Sequence, residues 1–143
     1  MKTIINRGLS LILAIGFILS LSACGGKTVE KAGLWENATY LSDTTLGEGE
    51  KSFTLEVKAG DEIITFTINT DKTTVGEALQ DCKLIEGEQG EYGLYIKKVN
   101  GILADYDVDQ SYWAFYVNGE YATSGVDTTE IAEDTVYKLE HAK

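Results

Sequence analysis

The sequence predicts an α+β fold, a mixed β-grasp-like sheet with one short helix packed on one face. Three observations support this. Two stretches of alternating apolar and polar residues predict a hairpin, a capped amphipathic segment predicts a helix, and aromatic stretches around Asn-Gly turns predict further strands. Because the helix follows one hairpin and precedes the other strands, its apolar stripe has to be buried against a sheet face.

The first two strands are predicted from period-two alternation. In Ser52–Val57 the residues Phe53, Leu55 and Val57 point to one face, and Ile64–Ile68 alternates in the same way. Ala59-Gly60-Asp61 lies between them and supplies a turn. Two half-buried strands joined by so short a connection form an antiparallel hairpin.

The helix is predicted over Thr74–Cys82. Thr74 and Glu77 have the spacing of a capping box, in which the side chain of each residue accepts a hydrogen bond from the backbone amide of the other. Its apolar stripe has helical spacing and consists of Val75, Ala78, Leu79 and Cys82. Cys82 is therefore interpreted as a small core residue and not as a reactive thiol.

The remaining strands are predicted around Asn-Gly dipeptides, which close tight hairpins because asparagine and glycine accept positive φ. Tyr92–Val99 precedes Asn100-Gly101, and Tyr112–Val117 precedes Asn118-Gly119. The last strand is predicted at Thr135–Glu140.

The first 23 residues have the features of a bacterial lipoprotein signal. A basic start, an apolar segment too short to span a bilayer and the lipobox Leu21-Ser22-Ala23-Cys24 predict cleavage before Cys24 and attachment of lipid to its thiol. The alternative is an ordinary secretory signal with an incidental Cys24. The predicted organisation is a signal peptide at 1–23, a lipidated tether and lead-in at 24–51, and one domain at 52–143. Four apolar residues of the lead-in are predicted to pack on the domain: Leu34, Trp35, Tyr40 and Leu41.

The predicted mature chain is strongly acidic. Removing Lys2 and Arg7 with the leader leaves ten basic and 23 acidic side chains and no arginine. This composition argues against nucleic-acid binding, which depends on basic side chains and especially on arginine. The predicted location is the extracytoplasmic face of the cell membrane, through the lipid anchor.

Catalytic patterns are missing from the sequence. The one histidine, His141, lies close to the chain end, where fraying is expected, so that no Ser-His or Cys-His pair is predicted. Asp105, Asp107 and Asp109 resemble the start of a calcium loop, but Gln110 and Tyr116 occupy the positions where an EF-hand needs glycine and glutamate. We therefore predict a non-enzymatic protein, and a solvated loop at Asp105–Asp109, with a looser cation site as the alternative.

Aromatic residues are concentrated between positions 92 and 121. In the strand Tyr112–Val117, the residues Trp113, Phe115 and Val117 share one face and Tyr112, Ala114, Tyr116 and Asn118 share the other. One interpretation assigns the first face to the core and the second to a half-exposed sheet surface. The other makes the tyrosine face a platform for a flat amphipathic ligand, with candidate binding residues Tyr95, Tyr106, Tyr112, Trp113, Tyr116 and Asn118.

One stretch also resembles a known family. Tyr112-Trp113 at the start of a strand, Asn118-Gly119 in a turn and then Gly125-Val126-Asp127 are similar to the transcobalamin-like C-terminal domain, the β-rich half of the vitamin B12 carriers. The resemblance implies a β-grasp fold, a corrinoid ligand such as cobalamin and delivery to a membrane importer. The carriers also have a separate large helical domain, for which we expect no room in this chain. A protein-docking module without a small ligand, and a cation-binding lipoprotein, are the alternatives.

Overall fold

The computed structural model describes residues 27–143, which form nine strands, two α-helices and two 3-10 helices. The predicted signal peptide and Cys24 lie outside the described residues. The strands are β1 (Thr44–Gly47), β2 (Lys51–Ala59), β3 (Glu62–Thr70), β4 (Ile85–Gly90), β5 (Gly93–Val99), β6 (Ile102–Leu103), β7 (Tyr112–Val117), β8 (Glu120–Tyr121) and β9 (Val136–Ala142). The helices are α1 (Val75–Asp81), α2 (Tyr106–Asp109) and the 3-10 helices Gly33–Trp35 and Val126–Thr128.

The strands are divided between two sheets. Six form a mixed sheet in the order β1-β3-β2-β9-β7-β8, in which the β1–β3 and β2–β9 pairs are parallel. The other three form a small antiparallel sheet in the order β4-β5-β6. The longest of the described helices is α1, with seven residues. The α+β class with mostly strands and one short helix is therefore confirmed.

The core lies between the large sheet and α1. Phe66 of β3 and Leu79 of α1 are fully buried, and Leu139 of β9 completes the same layer. The predicted capping box is present: Glu77 N donates to Thr74 Oγ1 at 3.2 Å, and Thr74 N donates to Glu77 Oε2 at 3.1 Å. These two bonds satisfy amides that the first helical turn cannot pair internally, and they fix where α1 begins.

The lead-in before β2 is part of the folded body. Trp35 is buried, and its indole Nε1 donates to the carbonyl oxygen of Ala59 at 3.0 Å. Tyr40 and Leu41 pack against the core as predicted, whereas Leu34 is 44% exposed and does not. The chain then adds β1 to the edge of the large sheet, so the packed structure begins well before residue 52.

Three local predictions differ from the structure. The sequence predicts a solvated loop at Asp105–Asp109; Tyr106–Asp109 is solvent-exposed but forms one helical turn. His141 is not frayed, since it lies in β9 opposite Trp113. Ile85–Gly90, for which no strand is predicted above, is strand β4, held by its pairing with β5. Within the described part of the chain, no helix has the length and apolar character needed to cross a bilayer.

Candidate ligand cleft

One cleft of about 560 Å³ lies where β5, α2 and the start of β7 meet. This volume is in the range of small-molecule pockets, which is roughly 300–1,000 Å³. Three of the predicted ligand residues, Tyr95, Tyr106 and Tyr112, come together there from three different elements. The full lining is Glu88, Tyr95, Lys97, Asp105, Tyr106, Asp107 and Tyr112.

The hairpin β4–β5 supplies one wall of the cleft. Glu88 is the cross-strand partner of Tyr95, and Lys97 lies two residues further along β5, so the three side chains share a face. Lys97 Nζ lies 3.4 Å from Glu88 Oε2. Tyr95 keeps 42% of its surface exposed, which leaves its ring available to a ligand.

The short helix α2 supplies the second wall, and hydrogen bonds fix its position. Asp105 Oδ1 accepts from Asp107 N at 3.1 Å as the N-terminal cap, and buried Ser111 accepts from Asp105 N through Oγ at 3.0 Å. Asp109 accepts hydrogen bonds from both the hydroxyl and the amide of Ser111, and these bonds lower the pKa of its carboxyl. Tyr106, 56% exposed, projects from this turn.

Tyr112 begins β7 and contributes the third aromatic ring. It is half-buried and lies on the sheet face opposite to Trp113. Trp113 is 7% exposed and meets the His141 ring edge to face, with 5.3 Å between centroids. Because successive strand residues point to opposite faces, the two neighbours cannot line the same cleft.

The other two candidate residues are also outside the cleft. Tyr116 packs edge to face against Tyr121 at 5.5 Å, and Lys138 Nζ lies 4.4 Å from the centre of its ring. Asn118 Oδ1 accepts from Val136 N at 3.0 Å and so joins the β7–β8 turn to the start of β9. The structure therefore brings together Tyr95, Tyr106 and Tyr112 but not Trp113, Tyr116 and Asn118.

The cleft is acidic. Glu88 is paired with Lys97, and no ion pair to Asp105 or Asp107 is present among residues 27–143. An aromatic surface bordered by carboxylates favours a ligand with apolar faces and a positive centre. The same described range holds no group of three or more His, Cys, Asp or Glu side chains placed to bind a metal ion.

Two cleft residues were missed by sequence reasoning. Lys97 could have been found, because it lies two positions from Tyr95 in a predicted strand and therefore on the same face. Glu88 could not, because it reaches the cleft through the pairing of β4 with β5, which the composition of Ile85–Gly90 does not indicate.

A solved structure establishes the family. A "putative metal binding protein" from Ruminococcus gnavus ATCC 29149 is 34% identical to this chain, with a TM-score of 0.62. The similarity covers 66% of this chain and 98% of that chain. The chain described here therefore belongs to the same family as the R. gnavus protein. The family model described as a domain of unknown function, DUF4430, matches residues 72–137, from the end of the first hairpin to the start of β9.

A second solved structure shows the same fold in a larger protein. The structure of haptocorrin in complex with Cbi, which is cobinamide, matches with a TM-score of 0.51 at 15% identity. The match covers 65% of this chain but 25% of that chain, so this chain spans about a quarter of haptocorrin's length. No curated protein sequence matches the chain significantly.

Proposed function

We propose that this domain binds a corrinoid in the cleft formed by β5, α2 and β7. The observation that carries the proposal is the convergence of Tyr95, Tyr106 and Tyr112, from three separate elements, on one cleft of about 560 Å³. A corrin ring has apolar faces that tyrosine rings can contact and amide groups at its rim that hydroxyls and carboxylates can meet. Oxygen atoms of Asp105 and Asp107 can accept hydrogen bonds from the amide groups at the rim.

The relatives support ligand binding of this general class. Haptocorrin shares the fold and is seen with a corrinoid, and the family member from R. gnavus is described as a "putative metal binding protein". In this chain the aromatic cleft fits the first kind of ligand better, because Asp105 is engaged in capping α2 and Asp109 in holding Ser111.

The lipobox at Leu21–Cys24 adds a cellular setting to the proposal. A diacylglycerol on Cys24 would hold the domain at the extracytoplasmic surface, where a captured ligand can be passed to an importer in the same membrane. The protein acts in this proposal as a carrier and not as an enzyme.

The affinity should be modest, because the cleft contacts one side of a ligand. Micromolar binding corresponds to about −8 kcal/mol, which a stacked face and a few hydrogen bonds can supply. No histidine lines the cleft, so the protein should leave the axial ligands of cobalt in place and change the visible spectrum of the corrinoid little.

The test is calorimetry of the purified chain carrying Cys24→Ser, titrated with cobinamide and with cobalamin. Tyr95→Ala and Tyr112→Ala should each weaken binding by about tenfold or more, which corresponds to 1.4 kcal/mol. Tyr121→Ala and Tyr92→Ala are matched controls, because both tyrosines are more exposed and neither lines the cleft. Both controls should bind like the unmodified sequence.

Two outcomes would overturn the proposal. Absence of binding up to millimolar corrinoid would favour a domain that docks a protein partner. Calcium binding that disappears in Asp107→Asn, without corrinoid binding, would assign the α2 region to a cation instead.

A further inference from the structure

Asp127 has an unusual environment that the proposed ligand contacts do not explain. It lies in the 3-10 helix Val126–Thr128, and its Oδ2 accepts from the amide of Leu94 in β5 at 3.1 Å. The other carboxylate oxygen, Oδ1, is buried and has no hydrogen-bond partner among the described residues, although Asp127 as a whole is only half-buried. A buried oxygen without a partner costs free energy, so its position calls for a physical reason.

Three glycines make room for Asp127. A Cβ on Gly93 would lie 2.8 Å from Oδ2, and one on Gly125 would lie 2.9 Å from Oδ1. On the other side, a Cβ on Gly76 of α1 would lie 2.8 Å from the Asp127 Cα. Real Cβ atoms essentially never lie this close to another heavy atom. Glycine at these three positions therefore leaves the space that Asp127 occupies between α1 and the turn that begins β5.

The 3-10 helix is itself fixed to the body of the domain. Val126 is buried in the core. Val75 N donates to Thr129 O at 2.9 Å, and Ile131 N donates to Thr73 O at 2.9 Å, so the segment is attached on both sides of the start of α1. Asp127 therefore extends from a rigid support.

At its tip, the hairpin that it reaches has few contacts beyond Leu94, whose side chain is partly buried against the core. Residues Glu86–Gly90 of β4 are all exposed, and Tyr92 at the tip is 95% exposed. β6 pairs with β5 only at Lys98 and Val99, far from the tip. Segments with so few buried contacts open easily, and the bond from Asp127 to Leu94 counteracts this directly beside Tyr95.

We propose that Asp127 is a positioning residue that holds the β4–β5 hairpin, and with it Tyr95, Glu88 and Lys97, in place against α2 and β7. This role accounts for the Gly125-Val126-Asp127 motif and for the glycines at positions 76 and 93. The inference rests on the proposed function in so far as the positioned residues are those that line the ligand cleft.

The first test compares Asp127→Ala with Asp127→Asn. Asparagine keeps an oxygen that can accept from Leu94 N, whereas alanine does not. Asp127→Ala should raise the hydrogen-exchange rate of the Leu94 amide and its hairpin neighbours at least tenfold and weaken cobinamide binding at least tenfold. Asp127→Asn removes the same charge, but its Leu94 exchange rate and its affinity for cobinamide should both stay within about threefold of those of the unmodified chain.

The control is Asp61→Ala, which removes an exposed carboxylate from the β2–β3 turn. It should change neither exchange nor binding, whereas an effect of net charge alone would make both Asp61→Ala and Asp127→Asn resemble Asp127→Ala. Unchanged Leu94 protection in Asp127→Ala would overturn the positioning role. If the unmodified chain fails to bind cobinamide, the ligand proposal fails while the exchange measurement still decides the role of Asp127.

A double-mutant cycle gives an independent measurement. In Gly93→Ala the new methyl group collides with the Asp127 carboxylate, and the strain of φ +108° is added. The φ strain is common to both backgrounds and cancels in the cycle, but the collision exists only when Asp127 is present. Gly93→Ala should therefore accelerate exchange at Leu94 by a smaller factor in the Asp127→Ala background. Equal factors in both backgrounds would contradict the proposed contact.

Discussion

Two asparagines occupy equivalent places in Asn-Gly turns but make different contacts. Asn100 and Asn118 both adopt positive φ, +52° and +49°. The Asn100 side chain is fully buried and uses both of its polar atoms: Oδ1 accepts from Tyr40 N at 2.8 Å, and Nδ2 donates to Tyr40 O at 2.9 Å. Asn118 is exposed and uses only Oδ1.

This difference predicts unequal costs for the same substitution. Asn100→Asp replaces a donor with a carboxylate oxygen facing the Tyr40 carbonyl, and should lower the free energy of unfolding at neutral pH by at least about 2 kcal/mol. Asn118→Asp keeps its acceptor and the backbone conformation, and should cost about 0.5 kcal/mol or less. Urea unfolding of the two variants measures this, and equal costs would contradict the assigned contacts.

At the scale of single elements, α1 is defined by its capping box. Glu77 accepts hydrogen bonds from the amides of Thr74 and Thr73, and these bonds hold the pKa of its carboxyl below its usual range. A carboxyl with a lowered pKa in the folded state stabilises the protein above the unfolded-state pKa, which is about 4.3 for glutamate. That contribution is lost as the pH falls further, through the folded-state pKa.

We therefore predict a pH-dependent effect of Glu77→Gln. The unmodified chain should be more stable than the variant at pH 7, and the difference should shrink as the pH falls below about 4.3. Thermal unfolding at several pH values measures the difference. The matched control is Glu48→Gln, because Glu48 is exposed and lies outside the described helices. This substitution should change stability little. A stability difference between the unmodified chain and Glu77→Gln that grows on acidification would contradict this prediction.

At the scale of the whole molecule, the lead-in and the domain form one packed body. Trp35 is 3% exposed, whereas its neighbour Leu34 is 44% exposed. Trp35→Ala should lower the free energy of unfolding by about 3–5 kcal/mol, because it removes a buried ring together with the bond to Ala59. Leu34→Ala should cost less than about 1 kcal/mol. Similar denaturation midpoints for the two variants would mean that the lead-in is only loosely attached.

The lipid anchor is a separate prediction for the whole molecule. If Leu21–Cys24 is a lipobox, cells grown with labelled fatty acid should incorporate the label into the unmodified protein and not into Cys24→Ala. Ser22→Ala, which keeps a small residue before the cysteine, should be labelled normally. Equal labelling of the unmodified protein and Cys24→Ala would rule out attachment at this thiol.

The sequence by itself determined the elements whose signals are local. Alternation predicted β2 and β3, the Thr74–Glu77 spacing predicted the start of α1, and Asn-Gly predicted the turns after β5 and β7. Each signal is contained within a few residues, because the backbone geometry of a turn, a cap or a strand depends on its immediate neighbours. The class of fold followed from the order of these elements.

Only the tertiary structure decided which elements lie side by side. Period-two alternation tells which residues of a strand share a face, but not which strand or helix that face meets. The division into two sheets, the pairing that makes Ile85–Gly90 a strand, and the meeting of Tyr95, Tyr106 and Tyr112 all depend on contacts between distant segments. The bond from Asp127 to Leu94 spans 33 positions, and no local pattern in the sequence specifies a contact at such a separation.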